Sequence, residues 1–319
     1  MKLSTRQVRY VCEVARLGSI KAASSSLRIS QSSLLAAITV AESNLDARIF
    51  DRQPARGVTI TPAGERFVTA ARALLAANDE FGRQLGDLAK STPQILKVAC
   101  FAPFGSCFIA DVLKVFVDTY GPTEIVLYEG DQSQLREWLA NGSVDLVITY
   151  DIGPSFGDNR VTPICKVPAH AILPANDPLA RKKVVRIADL AQRPLVLLDL
   201  PQTSIYLMTL FDVLATKPAV KLRTRSYDTV RSAVSAGFGV AILNMRPSRH
   251  SVPDTPGVVR RPLADSFSPP TLIVADLYGP NKPAFVRAMI QTIRDFFRDL
   301  GPEGFAVTTK NRAKTLFDV

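Results

Sequence analysis

The chain has 319 residues, 47% of them hydrophobic and 21% charged, which suits a folded protein of two or three units rather than one core. No window approaches the roughly 18 consecutive apolar residues of a membrane span, and Met1-Lys2-Leu3-Ser4-Thr5-Arg6-Gln7 lacks the apolar heart of an export signal, so a cytoplasmic location is expected. A net charge of +10 favours a polyanionic partner. Half of that excess precedes residue 92, where 13 Lys and Arg face 8 Asp and Glu.

Ser4 and Gln7 have the spacing of a capping box, and Val8, Val11, Cys12 and Ala15 behind them form one apolar stripe of a helix. Gly18 ends it. Ser19 caps a second helix over 20–27, with Ala22, Ala23 and Leu27 inward and the two alanines small enough for a close crossing. After the turn Arg28-Ile29, Ser30 caps a third helix to about Leu45, burying Leu34, Ala37, Ile38, Ala41 and Leu45. Two short helices, a tight turn and a longer helix make a helix-turn-helix. Gln31, Ser32 and Ser33 then face outward with short donors and acceptors suited to base edges and phosphates. With Ser19, Lys21 and Ser30 they are the candidate DNA contacts. Residues 49–61 read as a hairpin, a wing, whose Arg52 and Arg56 suit the DNA backbone or minor groove.

The run Gly18-Ser19-Ile20, Ala22-Ala23, Leu27, Ser30-Gln31-Ser32, then Leu45, Ile49-Phe50-Asp51-Arg52 and Thr59-Ile60-Thr61-Pro62-Ala63-Gly64-Glu65 resembles the signature of LysR-type transcriptional regulators, over about the first 65 residues. It departs from that pattern at Leu35-Ala36-Ala37, where family members usually carry Ser and often Arg and Gln. The resemblance implies a bacterial regulator that binds double-stranded DNA as a homodimer or homotetramer. It also implies a small-molecule effector and, through DNA bending, contact with RNA polymerase.

Thr61 caps a long helix with Pro62 at its first position and a pattern reaching about Ala89. Phe67, Leu74, Phe81 and Leu88 recur every seven residues, with Ala71, Asn78 and Leu85 between them. This is either a coiled-coil seam, in which Asn78 fixes register, or an amphipathic helix packed on its own chain. The resemblance implies the first, making Phe67, Leu74, Asn78, Phe81, Leu85 and Leu88 the dimerisation set. Ser91-Thr92-Pro93 breaks the helix.

Beyond it, strands are expected at 95–100, 124–128, 146–150, 169–173, 195–198, 221–224, 240–243 and 272–274. Helices are expected at 106–117, 132–140, 204–215, 229–236 and 282–297. This alternation is α/β. A faint repeat relates residues 135–148 to 230–243, each a helix, a glycine and a buried strand, which suggests two α/β lobes. The resemblance implies a periplasmic-binding-protein-like domain with the effector between them. Ligands of such sheets sit at the carboxyl ends of strands, facing helix starts. The candidates there are Ala102, Pro103, Phe104, Ser106, Asp131, Gln202, Thr203, Ser204, Tyr227 and Asn244, with Gln132 nearby; hydroxyls and amides favour a small carboxylate.

The expected division is therefore a winged helix-turn-helix at 1–61, a linker helix and hinge at 62–92, a two-lobed effector domain at 93–300 and a tail at 301–319. The tail has weak pattern and is either disordered or an added basic contact through Lys310, Arg312 and Lys314. Cys12, Cys100, Cys107 and Cys165 form no CxxC pair, and only His170 and His250 are present, so no metal or other cofactor is called for. Buried free thiols are the plain reading, with a Cys100/Cys107 redox pair the alternative. The histidines sit in Pro-rich or polar stretches, Asp145 and Asp151 read as strand-edge surface residues, and no nucleophile–base constellation appears, so catalysis is not expected. A solute-binding protein and a nucleoid architectural protein are the other rivals. The first leaves the N-terminal 90 residues without a role, and the second leaves the α/β domain without one.

Overall fold

The computed structural model describes residues 3–53, 57–88, 92–157, 160–247 and 255–319. Contacts divide the chain into two units, Met1–Asp87 and Leu88–Val319.

In the first unit the capping box forms: Ser4 Oγ accepts from the Gln7 amide, and the Gln7 side chain accepts from the Ser4 amide, starting α1 (Thr5–Leu17). Ser19 and Ser30 cap α2 (Ile20–Leu27) and α3 (Gln31–Leu45), each hydroxyl accepting from the amide three residues on. Ser24 Oγ donates to Ile29 O at 2.7 Å and closes the turn between them. Val11, Val14, Ala23, Leu34, Ile38, Ala41, Ile49 and Phe50 form the core.

Four expected core positions move. Val14 is buried, whereas Cys12 and Ala15 are only half-buried. Ala22 is exposed, because successive helical side chains diverge by about 100° and in a two-turn helix only Ala23 meets the crossing. Leu45 is 41% exposed at the last residue of α3, and Ile49 and Phe50 are the buried residues that follow it.

The wing pairs β1 (Phe50–Gln53) with β2 (Gly57–Ile60), Gln53 opposite Gly57. Glu42 Oε1 accepts from the Ile49 and Phe50 amides at 2.8 and 3.3 Å, tying the hairpin to α3. The Val58 amide donates to Gly18 O. At Gly57 the backbone is left-handed (φ +87°), and a Cβ would lie 2.6 Å from Gly18 O, so this approach requires glycine. α4 (Pro62–Leu88) follows, with Thr61 Oγ1 accepting from the Gly64 amide. Val68 and Ala71 are buried and Phe67 packs against the N-terminal core, which takes Phe67 at least partly out of the expected seam. Farther along, Leu74 and Phe81 stand 41% and 61% exposed, with Asn78 exposed between them.

The second unit opens with β3 (Ile95–Phe101), α5 (Ala102–Phe104), a π-helical turn (Gly105–Ile109), α6 (Ala110–Tyr120), β4 (Glu124–Gly130), α7 (Gln132–Ala140), β5 (Leu146–Tyr150) and β6 (Val161–Lys166). The second lobe runs through β7 (His170–Pro174), α8 (Ile187–Ala191), β8 (Leu195–Leu198), α9 (Pro201–Thr209), β9 (Val220–Thr224), α10 (Tyr227–Ser235), β10 (Ala241–Leu243) and β11 (Val258–Pro262). The chain then returns to the first lobe as β12 (Thr271–Asp276) and α11 (Ala284–Leu300), ending in α12 (Pro302–Phe305) and α13 (Lys310–Ala313). The first sheet has the order β4-β3-β5-β12-β6, with β12 antiparallel to both neighbours. In the second lobe β10-β7-β11 and β8-β9 are joined by the parallel bridge Leu195–Val240. The repeat has structural meaning: β5 lies parallel to β3, as β10 does to β8.

β6 and β11 were not expected, and α9 starts three residues before the expected 204 and ends at Thr209. The tail is ordered: Phe305 is fully buried, Arg312 donates to Leu263 O, Ala264 O and Ser266 Oγ, and the Lys166 amide donates to Leu316 O. Its buried apolar residues, Phe305, Ala306 and Leu316, carry no periodicity to read.

Candidate nucleic-acid interface and ligand crevice

The start of α3 presents Gln31, Ser32 and Ser33, all exposed, with Ser30 Oγ 2.9 Å from Ser32 Oγ and 2.8 Å from Ser33 Oγ. The three hydroxyls form one polar knot at the positive end of the helix dipole, a surface matched to phosphate oxygens. Lys21 is exposed beside it in sequence, and Ser19 is half-buried with its hydroxyl engaged as a cap. Of the departing triplet, Ala36 is exposed, Leu35 half-buried and Ala37 core. Only two of those three substitutions therefore alter the outward face. Arg56, Ala89, Ser91 and His250 lie outside the described residues, as do the side chains of Arg52, Leu85 and Leu88.

Between the lobes, Pro103, Thr203, Tyr227 and Asn244 converge with Phe101, Tyr150, Leu198, Leu207, Leu243 and Met245 around a cavity of about 10 Å³. That is room for about one water. The crevice is closed. Its polar groups are turned to the protein: Tyr227 donates to Met245 O at 2.8 Å, and Asn244 Nδ2 donates to Val167 O and the Tyr206 hydroxyl. Among the described residues, the contacts that cross between lobes include Arg225 to Asp131 at 2.7 Å and the fully buried Gln132 side chain to Thr203 Oγ1 at 3.3 Å.

Other candidates do not line that cavity. Phe104 is core, its ring 5.8 Å from Phe108 and 6.2 Å from Phe297. Helical structure begins at Ala102 rather than Ser106, and this turns Phe104 inward and leaves Ser106 exposed, bonded to Ala102 O. Asp131 caps α7 through the Ser133 and Gln134 amides, and Gln202 and Ser204 are half-buried on α9. Tyr150 was missed, although the carboxyl-end rule that selected residues 101–106 applies equally to β5.

His170 opens β7 fully buried, not in a polar loop. Its Nδ1 lies 3.2 Å from Asn244 O and its Nε2 3.0 Å from Arg260 Nη1. A guanidinium only donates, so Nε2 must accept, which leaves the proton on Nδ1 and the ring neutral. Burial, then the Arg260 charge, hold its pKa well below 6.5. Asp145 is half-buried rather than a surface edge, accepting from the Lys97 amide and the Tyr278 hydroxyl, and burial raises its pKa. Asp151 is exposed. Cys100, Cys107 and Cys165 are buried free thiols whose pKa burial raises, that of Cys107 to about 12.

A winged helix-turn-helix ahead of a two-lobed α/β ligand-binding domain defines a one-component transcriptional regulator. The chain belongs to the LysR family: residues 5–65 match the bacterial regulatory helix-turn-helix protein, lysR family, and residues 90–298 match the LysR substrate binding domain. It is a DNA-binding regulator and not an enzyme. The transcriptional dual regulator GltC of Bacillus subtilis is 26% identical over 244 residues, 76% of this chain and 80% of that protein. The crystal structure of HinK, a LysR family regulator from Pseudomonas aeruginosa, superposes with a TM-score of 0.57 at 26% identity, covering 92% of this chain and 98% of that one. An OxyR mutant from Corynebacterium glutamicum shares the fold at TM-score 0.73 and 22% identity, over 94% of each chain. Among the described residues no helix is long and apolar enough to cross a membrane.

Proposed function

We propose that the polar start of α3, Gln31, Ser32 and Ser33 with Ser30, enters the major groove. Ser19, Lys21 and the wing arginines Arg52 and Arg56 hold the phosphate backbone beside it. The observation that carries this reading is the exposed hydroxyl knot on a helix N-terminus whose opposite face is the unit's core. The protein acts as a homodimer or homotetramer through the half of α4 that exposes Leu74, Asn78 and Phe81, continued by Leu85 and Leu88.

The effector opens the crevice between the lobes, where it displaces the Arg225–Asp131 and Gln132–Thr203 contacts. A small carboxylate fits that reading, because α9 starts without a side-chain cap and its first free amides belong to Gln202 and Thr203. Binding there favours one lobe arrangement over the other and so changes DNA bending and the approach of RNA polymerase in the cytoplasm.

The test is a footprint of the purified protein on DNA upstream of its own gene, with a scrambled duplex as control. The expected result is a protected site with inverted half-sites about one helical turn, or a multiple of it, apart. Gln31→Ala should weaken that site against the control, and Lys21→Ala should weaken both duplexes alike. Equal, salt-fragile protection of both duplexes by the wild-type chain would overturn the reading.

A further inference from the structure

Beside the closed crevice lies an open hollow of about 420 Å³, large enough for a small organic molecule, which shares no lining residue with the crevice cavity. One wall is Asp151 and Gly153, just after β5 of the first lobe. The facing wall is α9 of the second lobe, through Gln202, Ile205 and Tyr206, and the floor is the returning segment Ser268–Pro270. Gly153 is left-handed (φ +84°), and a Cβ there would lie 2.9 Å from the Gln202 side chain, so glycine lets the loop close onto α9.

The hollow has a definite electrostatic sign. Among the described residues that line it, Asp151 is the one that carries a charge, and none is Lys or Arg. Asp151 Oδ1 accepts from the Thr271 amide at 2.6 Å, which fixes the carboxylate on the rim. The Tyr206 hydroxyl accepts from Asn244 Nδ2, so its own proton is left to donate into the hollow. Burial first, with the nearby Asp151 charge adding, raises the Tyr206 pKa to about 12, so that proton is retained at neutral pH. Ile152, Ile205 and the two prolines supply an apolar surface.

We propose that this hollow is a second small-molecule site, for a compact primary ammonium whose charge pairs with Asp151 and whose apolar body lies against Ile152, Ile205 and Pro269. The crevice reading above calls for an anion, and a carboxylate meets no cation among the described lining residues. Because the walls belong to different lobes, an occupant braces them, and it lies one hydrogen bond, Tyr206 to Asn244, from the crevice.

The test is calorimetric titration of the full chain with n-butylammonium, butyrate and n-butanol in parallel at neutral pH. Millimolar binding of the ammonium alone is expected. Asp151→Asn should weaken it roughly tenfold or more, and Ile205→Trp, at an exposed position, should block it by filling the hollow while the thermal transition stays unchanged. Binding of butyrate that survives both substitutions but is lost in Thr203→Val would assign the ligand to the crevice, overturning this site while leaving the proposed function intact. Absence of any ammonium heat, or heat insensitive to both substitutions, also overturns it. Loss of the DNA footprint bears on the proposed function alone.

Discussion

His170 shows how one buried ring ties stability to acidity. Held neutral between a carbonyl and a guanidinium, it binds no proton in the folded chain at a pH where an unfolded histidine does. A pKa depressed in the fold means that its contribution is complete above pH 6.5 and is lost as pH falls below it. The expected slope approaches about 1.4 kcal/mol per pH unit for this one proton. Denaturant titrations between pH 7 and 5 should show it, and His170→Gln should flatten it. An unchanged slope in the variant would rule the ring out as its source. The thiols make the complementary case: buried and held in the protonated form, Cys100, Cys107 and Cys165 are poor nucleophiles, which disfavours a Cys100/Cys107 redox pair.

Among the elements, α4 carries two jobs along one length. Phe67, Val68 and Ala71 serve the chain's own core, while Phe81 stands in solvent. If the outer half is a dimer seam, Phe81→Ser removes one buried ring per protomer and weakens association by about 3 kcal/mol or more, roughly a hundredfold. Sedimentation should then find monomers at concentrations where the wild type is dimeric, with the thermal transition of the second unit unmoved. Equal sedimentation of the two proteins would move the seam elsewhere. Elements were legible in the sequence where their cues are local. Ser4, Ser19 and Ser30 announce helices through hydrogen bonds three residues long, and the observed starts of α1, α2 and α3 agree. β6 and β11 were not, because Val161–Lys166 contains Pro163 and Val258–Pro262 carries two arginines. What makes them strands is pairing with β12 and β7, far off in sequence.

Over the whole molecule the same division holds. The two-lobed plan was visible through the repeat, and Pro103, Thr203, Tyr227 and Asn244 were placed at the crevice by the carboxyl-end rule. Its closure depends on Gln132 meeting Thr203 across 71 residues of chain, which no local pattern encodes. The tail is the largest gap between expectation and structure. Phe305 packs edge-on against Phe297 at 5.2 Å and is fully buried. Phe305→Ala should therefore cost about 3–5 kcal/mol, measured by denaturant unfolding of the full chain. A cost below about 1 kcal/mol would mean that the segment is merely draped on the surface.

The position of that tail has a consequence for signalling. The lobes are joined by two crossings, one between β6 and β7 and the other between β11 and β12. Leu316 O holds the amide of Lys166 at the first, and Arg312 grips Leu263, Ala264 and Ser266 at the second. A strap bonded at both crossings would weight the equilibrium between lobe arrangements. Apparent ligand affinity scales with the fraction of molecules already in the receptive arrangement, so loosening or tightening the strap retunes the concentration at which the regulator responds. That adjustment uses none of the residues proposed to read DNA or to hold an effector, which leaves dose and specificity open to change by separate mutations.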